Sequence, residues 1–437
     1  MGSLGLSQDE SLRHGRQFTK FINGRIAQGD QLVTGDIWIS AQTGKILSAD
    51  EAPQEQNVDL INVVDLYGRI LAPGLIDVQL NGAFGFNFSI LPKDTITYPK
   101  ELIRINKALV QTGLTSYLPT LTSQPTEVYQ KVLPYLGPSG SLRLAEQGCE
   151  SLGAHCEGPF LSRTKNGIHN RDNLLSAKTG FQDLETCYGH TNLSSIDGRS
   201  PRVKMVTAAP EVGNVAASIS ELTNRNIIFS IGHSEATYEE ACAAVEAGAS
   251  MVTHLFNAMQ PLHHRAPGII GLLGNSDQTK RPYTGVIADG IHLHPTVANL
   301  AFRTNPEGFI LVTDAMHLVG LPDGTYQWSS DGDRLVKKGT VLTLEGTPDK
   351  IAGSSITLLQ CVNNFLSWSN VAVPVALKAV TATPAKMLGL EDVKGTLSPG
   401  ADADLVVLDE VKHGNVSELV LEQTWKFGAK VYDRHEC

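Results

Sequence analysis

Residues 227–234 read IIFSIGHS and residues 251–259 read MVTHLFNAM. Each is a short apolar run that stops at a histidine, His233 in the first and His254 in the second. Upstream, HCEGPF at 155–160 places Glu157 at the end of a similar run, and downstream FILVTDAM at 309–316 places Asp314 at the end of another. Short apolar runs of this kind suit strands buried on both faces. Strands that each present a polar residue at their C-terminal end describe a parallel barrel with its chemistry gathered at one mouth.

Working outward, helix-like stretches at 101–112, 125–135, 215–224 and 238–247 alternate with such runs. Eight strands are expected near 70–80, 115–118, 151–156, 203–208, 227–231, 251–254, 283–288 and 309–313. The fold class is therefore α/β, a (β/α)8 TIM-type barrel. Both ends of the chain look different. FTKFINGRIA (18–27), GDIWISAQTGKILSA (35–49) and VVDLYGRILA (63–72) alternate around Gly-bearing turns, and GTLSPGADADLVVLDE (395–410) and WKFGAKVYD (425–433) do the same. The expected organisation is a small β-sandwich from 1–72 and 385–437 and a (β/α)8 barrel from 73–384. The run GTYQWSSDGDRLVKKGTVLTLEG (324–346) adds a hairpin-like insertion near 321–352.

At 437 residues, 41% hydrophobic and 18% charged, the chain has ample material for a core and none of the bias of a disordered protein. A net charge of −10 argues against a nucleic-acid or anionic-membrane surface. The six cysteines, Cys149, Cys156, Cys187, Cys242, Cys361 and Cys437, are scattered without a paired spacing, so no disulfides and a reducing compartment are expected. The first residues lack the apolar core of a secretion signal, and Leu6 stands where myristoylation after Gly2 needs Ser or Thr. No apolar run reaches membrane-spanning length, and a cytoplasmic location is expected.

Imidazole and carboxylate ligands suit a catalytic metal that keeps one position open, so Glu157, His233 and His254 form a sensible set. Taken singly, a histidine at a strand end is an ordinary hydrogen-bonded residue. A barrel that gathers three such ends together with Asp314 changes the reading. Asp314, at the end of the last strand, is placed to take a proton from water and return it to a leaving amine. In PGLIDVQLNG (73–82), Gln79 and Asn81 lie two apart on one strand face, but neutral carboxamides are poor metal ligands. One tightly held metal is expected, with Gln79 and Asn81 bonding water or substrate. Arg265, after the tandem His263-His264, and His292 in ADGIH (288–292) are cations suited to a phosphate.

The ordered set PGLIDVQLNG, HCEGPF, KNGIHN (165–170), IGHS, THLFNAM, HHRAPG (263–268), ADGIH, LVTDA, AGSS (352–355) and PGADADLVVLD (399–409) resembles the amidohydrolase superfamily. Within it the chain is most similar to the branch that removes acetate from N-acetylglucosamine 6-phosphate. That resemblance implies the barrel and the β unit, and a single divalent ion per subunit, zinc, on Glu157, His233 and His254. It further implies Asp314 as general acid/base, His169 polarising the acetyl carbonyl, Asn257 and Ala258 contacting sugar or phosphate, and His292 with Arg265 binding the phosphate. It implies a homodimer with Arg265 supplied in trans. Many relatives carry His-x-His on the first strand where this chain has Gln79 and Asn81. The segment 180–204 is longer than in short bacterial members. Rival readings are an amidohydrolase for another N-acyl or cyclic amide, and a barrel kept as a non-catalytic scaffold.

Overall fold

The computed structural model describes residues 17–53, 58–91, 96–327 and 334–436. The parts of the expected small domain before residue 17, and of the expected insertion at 328–333, lie outside the described residues. Eight parallel strands follow one another around a barrel: β1 (Leu75–Leu80), β2 (Leu114–Leu121), β3 (Ala154–Glu157), β4 (Val203–Ala208), β5 (Ile228–Ile231), β6 (Met251–Val252), β7 (Tyr283–Ile287) and β8 (Phe309–Val312). Each pairs with the next in sequence. The ring closes above β8, where Asp314 N donates to Gln79 O at 2.9 Å and Asn81 N to Ala315 O at 2.9 Å.

Alternation along the strands sorts the side chains. Ala154, Cys156, Val206, Phe229 and Val252 join the outer core beneath the helices. The residues between them point inward and stack in layers. Met205, Ile228, Met251 and Ile310 form the apolar lower layer, capped by Ala385 and Met387 of helix Ala382–Met387. Above it His155, Thr207, Ser230 and Thr253 are fully buried and linked. His155 Nε2 lies 2.7 Å from Thr207 Oγ1, and Thr253 Oγ1 lies 2.6 Å from Thr207 and 2.5 Å from Ser230. One step further along β3, two residues past His155, the inward position is Glu157.

The outer helices start and bury as their sequences direct. Helix Tyr238–Glu246 begins with a reciprocal cap between Thr237 and Glu240 and buries Ala241 and Ala244; Leu358–Ser369 begins the same way on Thr357 and Gln360.

The expected single strand at 70–80 is two strands. Ile70–Pro73 pairs antiparallel with 405–408 in the terminal sheet, and β1 pairs parallel with β2 in the barrel. Gly74 is the pivot, because a Cβ there would stand 2.3 Å from the Thr115 side chain. The chain ends meet in one eight-stranded sheet. It curls on itself, bringing Phe21 and Trp425 from distant strands into edge contact at 5.0 Å over a core that includes Ile39, Leu71 and Val407. The hairpin expected after β8 is a four-stranded antiparallel sheet, Gly324–Gln327, Arg334–Lys338, Val341–Leu344 and Thr347–Ser354. Leu335, Leu342 and Ala352 of this sheet pack on Met316 and Leu318, just beyond Asp314.

Candidate metal centre

Three of the strand-end residues adopt backbone angles that side chains with a Cβ avoid: His233 at φ 51°, His254 at φ 28° and Asp314 at φ 44°. Such angles cost on the order of 1–3 kcal/mol each and persist where the surroundings enforce them, which is common at functional sites. Here they turn each side chain from the strand direction into the mouth.

Glu157, His233 and His254 converge there, all at least 95% buried. Glu157 Oε1 lies 3.1 Å from His233 Nε2 and 3.0 Å from His254 Nε2, and the two Nε2 atoms are 2.9 Å apart. His233 Nδ1 is 2.7 Å from the Lys165 carbonyl, which can only accept, so Nδ1 carries the hydrogen and a neutral ring offers a lone pair at Nε2. That lone pair faces a carboxylate oxygen and a second imidazole nitrogen. His254 Nδ1 has no partner, so its Nε2 is free to present a lone pair as well, and three acceptors so arranged suit a cation between them. Ligands about 2.0–2.1 Å from a tetrahedral zinc ion lie roughly 3.3 Å apart, close to the spacing found. The donor set therefore fits a divalent metal. Burial works to raise the Glu157 carboxyl; hydrogen bonds and positive charge from the two imidazoles when they are protonated overcome it and hold the group well below the usual carboxylate range.

Gln79 lies beneath, donating from Nε2 to Glu157 Oε1 at 3.0 Å, and Asn81 Nδ2 donates to Asp314 Oδ1 at 2.8 Å. The carboxamide oxygens of both are buried without a partner. Burial, and then the charge of Glu157, push Asp314 up to about 6. Burial first, and His233 second, push His169 down to about 3, so its ring is neutral at ordinary pH. Its Nδ1 accepts the backbone N–H of Ser123 at 3.0 Å, which leaves the hydrogen on Nε2.

Asn81, Glu157, His169, His233, His254, Asn257, Ala258, His292 and Asp314 share one cleft of about 160 Å³. His292 Nδ1 is 2.6 Å from Asp289 Oδ2, which leaves Nε2 free for a ligand. Arg265 is exposed and is absent from the walls of this cleft. Ser123 and Asp289 escaped the sequence reading, although both lie just past a strand end, as His233 and His254 do. Ile168, Met316 and Ile351 form an apolar wall that the sequence did not signal. None of the described helices is long and apolar enough to cross a membrane. Among the described residues five cysteines are unpaired.

Residues 70–430 match the Amidohydrolase family. The chain is similar to the N-acetylglucosamine-6-phosphate deacetylase of Danio rerio, 39% identical over 93% of this chain and 97% of the relative, and to that of Homo sapiens, 38% identical over 95% and 97%. Among solved structures, the N-acetylglucosamine-6-phosphate deacetylase of Pasteurella multocida superimposes with a TM-score of 0.78 at 26% identity, covering 94% of this chain and 99% of that one. A mutant of the Mycobacterium smegmatis enzyme in complex with N-acetyl-D-glucosamine-6-phosphate gives a TM-score of 0.74 at 26% identity, covering 95% and 99%.

Proposed function

Because the chain belongs to the amidohydrolase family, we propose that it hydrolyses N-acetyl-D-glucosamine 6-phosphate to D-glucosamine 6-phosphate and acetate, in the catabolism or recycling of amino sugars. The observation that carries this reading is the convergence of Glu157, His233 and His254 beside Asp314 in one cleft, in a chain similar to deacetylases of that name along nearly its whole length. One zinc ion per subunit is the reading favoured by two imidazoles and a carboxylate with neutral carboxamides around them. A divalent ion held there supplies an acidified water and polarises the acetyl oxygen.

The chain's own residues do the rest. Asp314 takes a proton from the attacking water. Its raised pKa, about 6, lies nearer the working pH than that of an ordinary aspartate, so the carboxylate is a stronger base toward water and holds the proton until the nitrogen departs with it. Asn81 holds Oδ1 of that carboxylate, so the group keeps one orientation through both transfers. His169 donates its Nε2 hydrogen to the acetyl oxygen, where negative charge develops as the carbonyl carbon becomes tetrahedral. Asn257 and the backbone of Ala258 bind the sugar, and His292 donates to the phosphate.

Arg265 reaches a phosphate from the partner in a homodimer, a reading supported by its exposure on its own chain. The unpaired cysteines suit a cytoplasmic enzyme.

The test is acetate release by the metal-loaded protein from N-acetylglucosamine 6-phosphate beside unphosphorylated N-acetylglucosamine. A strong preference for the phosphate ester is expected. Equal rates contradict the phosphate site, and no release from either contradicts the deacetylase.

A further inference from the structure

The segment from Asn170 to Leu193, which sequence alone leaves without a role, is not packed as a flap over the cleft. It lies against the turns that follow β2 and β3. Helix Phe181–Tyr188 ends on Tyr188, whose hydroxyl donates to the Gly158 carbonyl at 2.8 Å. The Tyr129 hydroxyl lies 3.0 Å from the same carbonyl and 3.1 Å from the Thr122 carbonyl, so its one hydrogen is shared between the turn behind Glu157 and the turn after β2, and both phenols are fully buried. The two rings meet edge to face at 5.2 Å. Leu175 N donates to Pro159 O at 3.0 Å, fixing the next peptide of the same turn. From the same segment Asn173 Nδ2 donates to the Ser123 carbonyl at 3.1 Å. Ser123 is the residue whose N–H sets the hydrogen of His169, and its Oγ lies 2.8 Å from the same ring nitrogen. The two turns touch: a Cβ on Gly158, which has φ 80°, would stand 2.3 Å from Ser123 Oγ.

We infer that the 170–193 segment is a buttress: through Tyr188 and Asn173 it seats the turn behind Glu157 and the turn that orients His169, so it sets both metal affinity and the aim of the carbonyl donor. Tyr188 and Asn173 are thus positioning residues. The inference rests on the reading of Glu157 as a metal ligand and His169 as the donor to the acetyl oxygen. The physical reason is that a buried carbonyl left without its donors seeks new partners, and the chain on either side moves with it.

The experiment uses cobalt(II) as the probe on the full chain. Tyr188→Phe removes one hydroxyl and keeps the ring. It is expected to weaken cobalt affinity about 10–100-fold, as loss of a group that orients a ligand does, and to shift the visible absorption of the bound ion. Tyr129→Phe, which removes the hydroxyl shared between the Gly158 and Thr122 carbonyls, should move the same two readouts in the same direction. Asn173→Ala should lower kcat while leaving KM unchanged, because the phosphate contacts lie elsewhere. Thermal unfolding of the metal-free variants reports folding separately. Unchanged cobalt affinity, absorption and kcat in these variants overturn the inference, as does a fall in thermal stability alone. If the unsubstituted chain takes up no cobalt, the metal centre itself is refuted, an outcome distinguishable from failure of the buttress.

Discussion

Among the described residues, two groups of three side chains bring their ligand atoms within 4.8 Å of one another, and they have opposite characters. At the mouth are Glu157, His233 and His254; where the terminal sheet meets the bottom of the barrel are Glu150, Asp402 and Asp404. Both groups are buried. The lower group is filled by cations of the chain itself. Lys394 Nζ lies 2.6 Å from Asp404 and 2.7 Å from Asp402 and also bonds Glu150, while Lys426 Nζ lies 2.6 Å from Glu150 and 2.7 Å from Asp404. The Phe427 ring sits 4.0 Å from Lys426 Nζ and 4.7 Å from Lys394 Nζ. The upper group has no lysine or arginine, its two imidazole Nε2 atoms face one another at 2.9 Å, and Gln79 and Asn81 beside it keep unpartnered oxygens. A charge cluster completed by its own lysines is structural, joining three parts of the chain. One left short of a cation is built to receive it.

The largest effects should separate these roles most sharply. Asp314→Asn is expected to keep its metal and to lose about 10²–10⁴-fold in kcat, whereas His233→Ala loses metal and activity together. Metal content by elemental analysis beside acetate release checks this pair, and an Asp314→Asn protein with full activity breaks it. In the lower cluster Lys426→Met should cost about 3–5 kcal/mol of folding stability, since it strands buried carboxylates. Denaturant unfolding measures that loss. Metal content and kcat at a temperature where the variant is folded should stay at the unsubstituted level.

Next in size is the effect of the ion. At 100 times its dissociation constant a metal that binds only the folded chain raises stability by about 2.7 kcal/mol. That gain should vanish in Glu157→Gln and persist in Lys426→Met, and calorimetry with and without metal shows which holds.

The smallest effect is on the acid side. Burial works to raise Asp404 and Asp402, but Lys394, together with Lys426 at Asp404 and Lys45 at Asp402, holds both below the usual aspartate value. A depressed folded pKa contributes stability that is complete above the unfolded value, about 3.9, and is lost as pH falls through the folded one. Stability should therefore decline below about pH 4, and less steeply in Lys426→Met, where Asp404 returns toward its ordinary value. Identical acid limbs contradict the pairing.

The mouth was legible in the sequence because a parallel barrel writes its site as a local signal: an apolar run and, directly after it, Glu157, His233, His254 or Asp314. The order of strands was legible for the same reason. The lower cluster was not. Glu150, Lys394, Asp402, Asp404 and Lys426 are brought together only by the pairing of the terminal sheet, and Asp402 and Asp404 read simply as part of the strand-like stretch 395–410. The division of 70–80 into two strands was hidden because the text is apolar on both sides of Pro73-Gly74, and what separates the halves is their pairing with different, distant strands, 405–408 and β2. His169 and Ala258 carry no strand-end signal and entered through family resemblance. Ser123 acts through its backbone amide, which no side-chain pattern reveals.

The most direct test of the contrast between the two clusters is a crystal of the protein grown with zinc, with anomalous scattering recorded on either side of the zinc edge. The account predicts one peak among Glu157 Oε1, His233 Nε2 and His254 Nε2, and no density replacing Lys394 or Lys426 beside Glu150. A peak in the lower cluster, or none at the mouth, contradicts it.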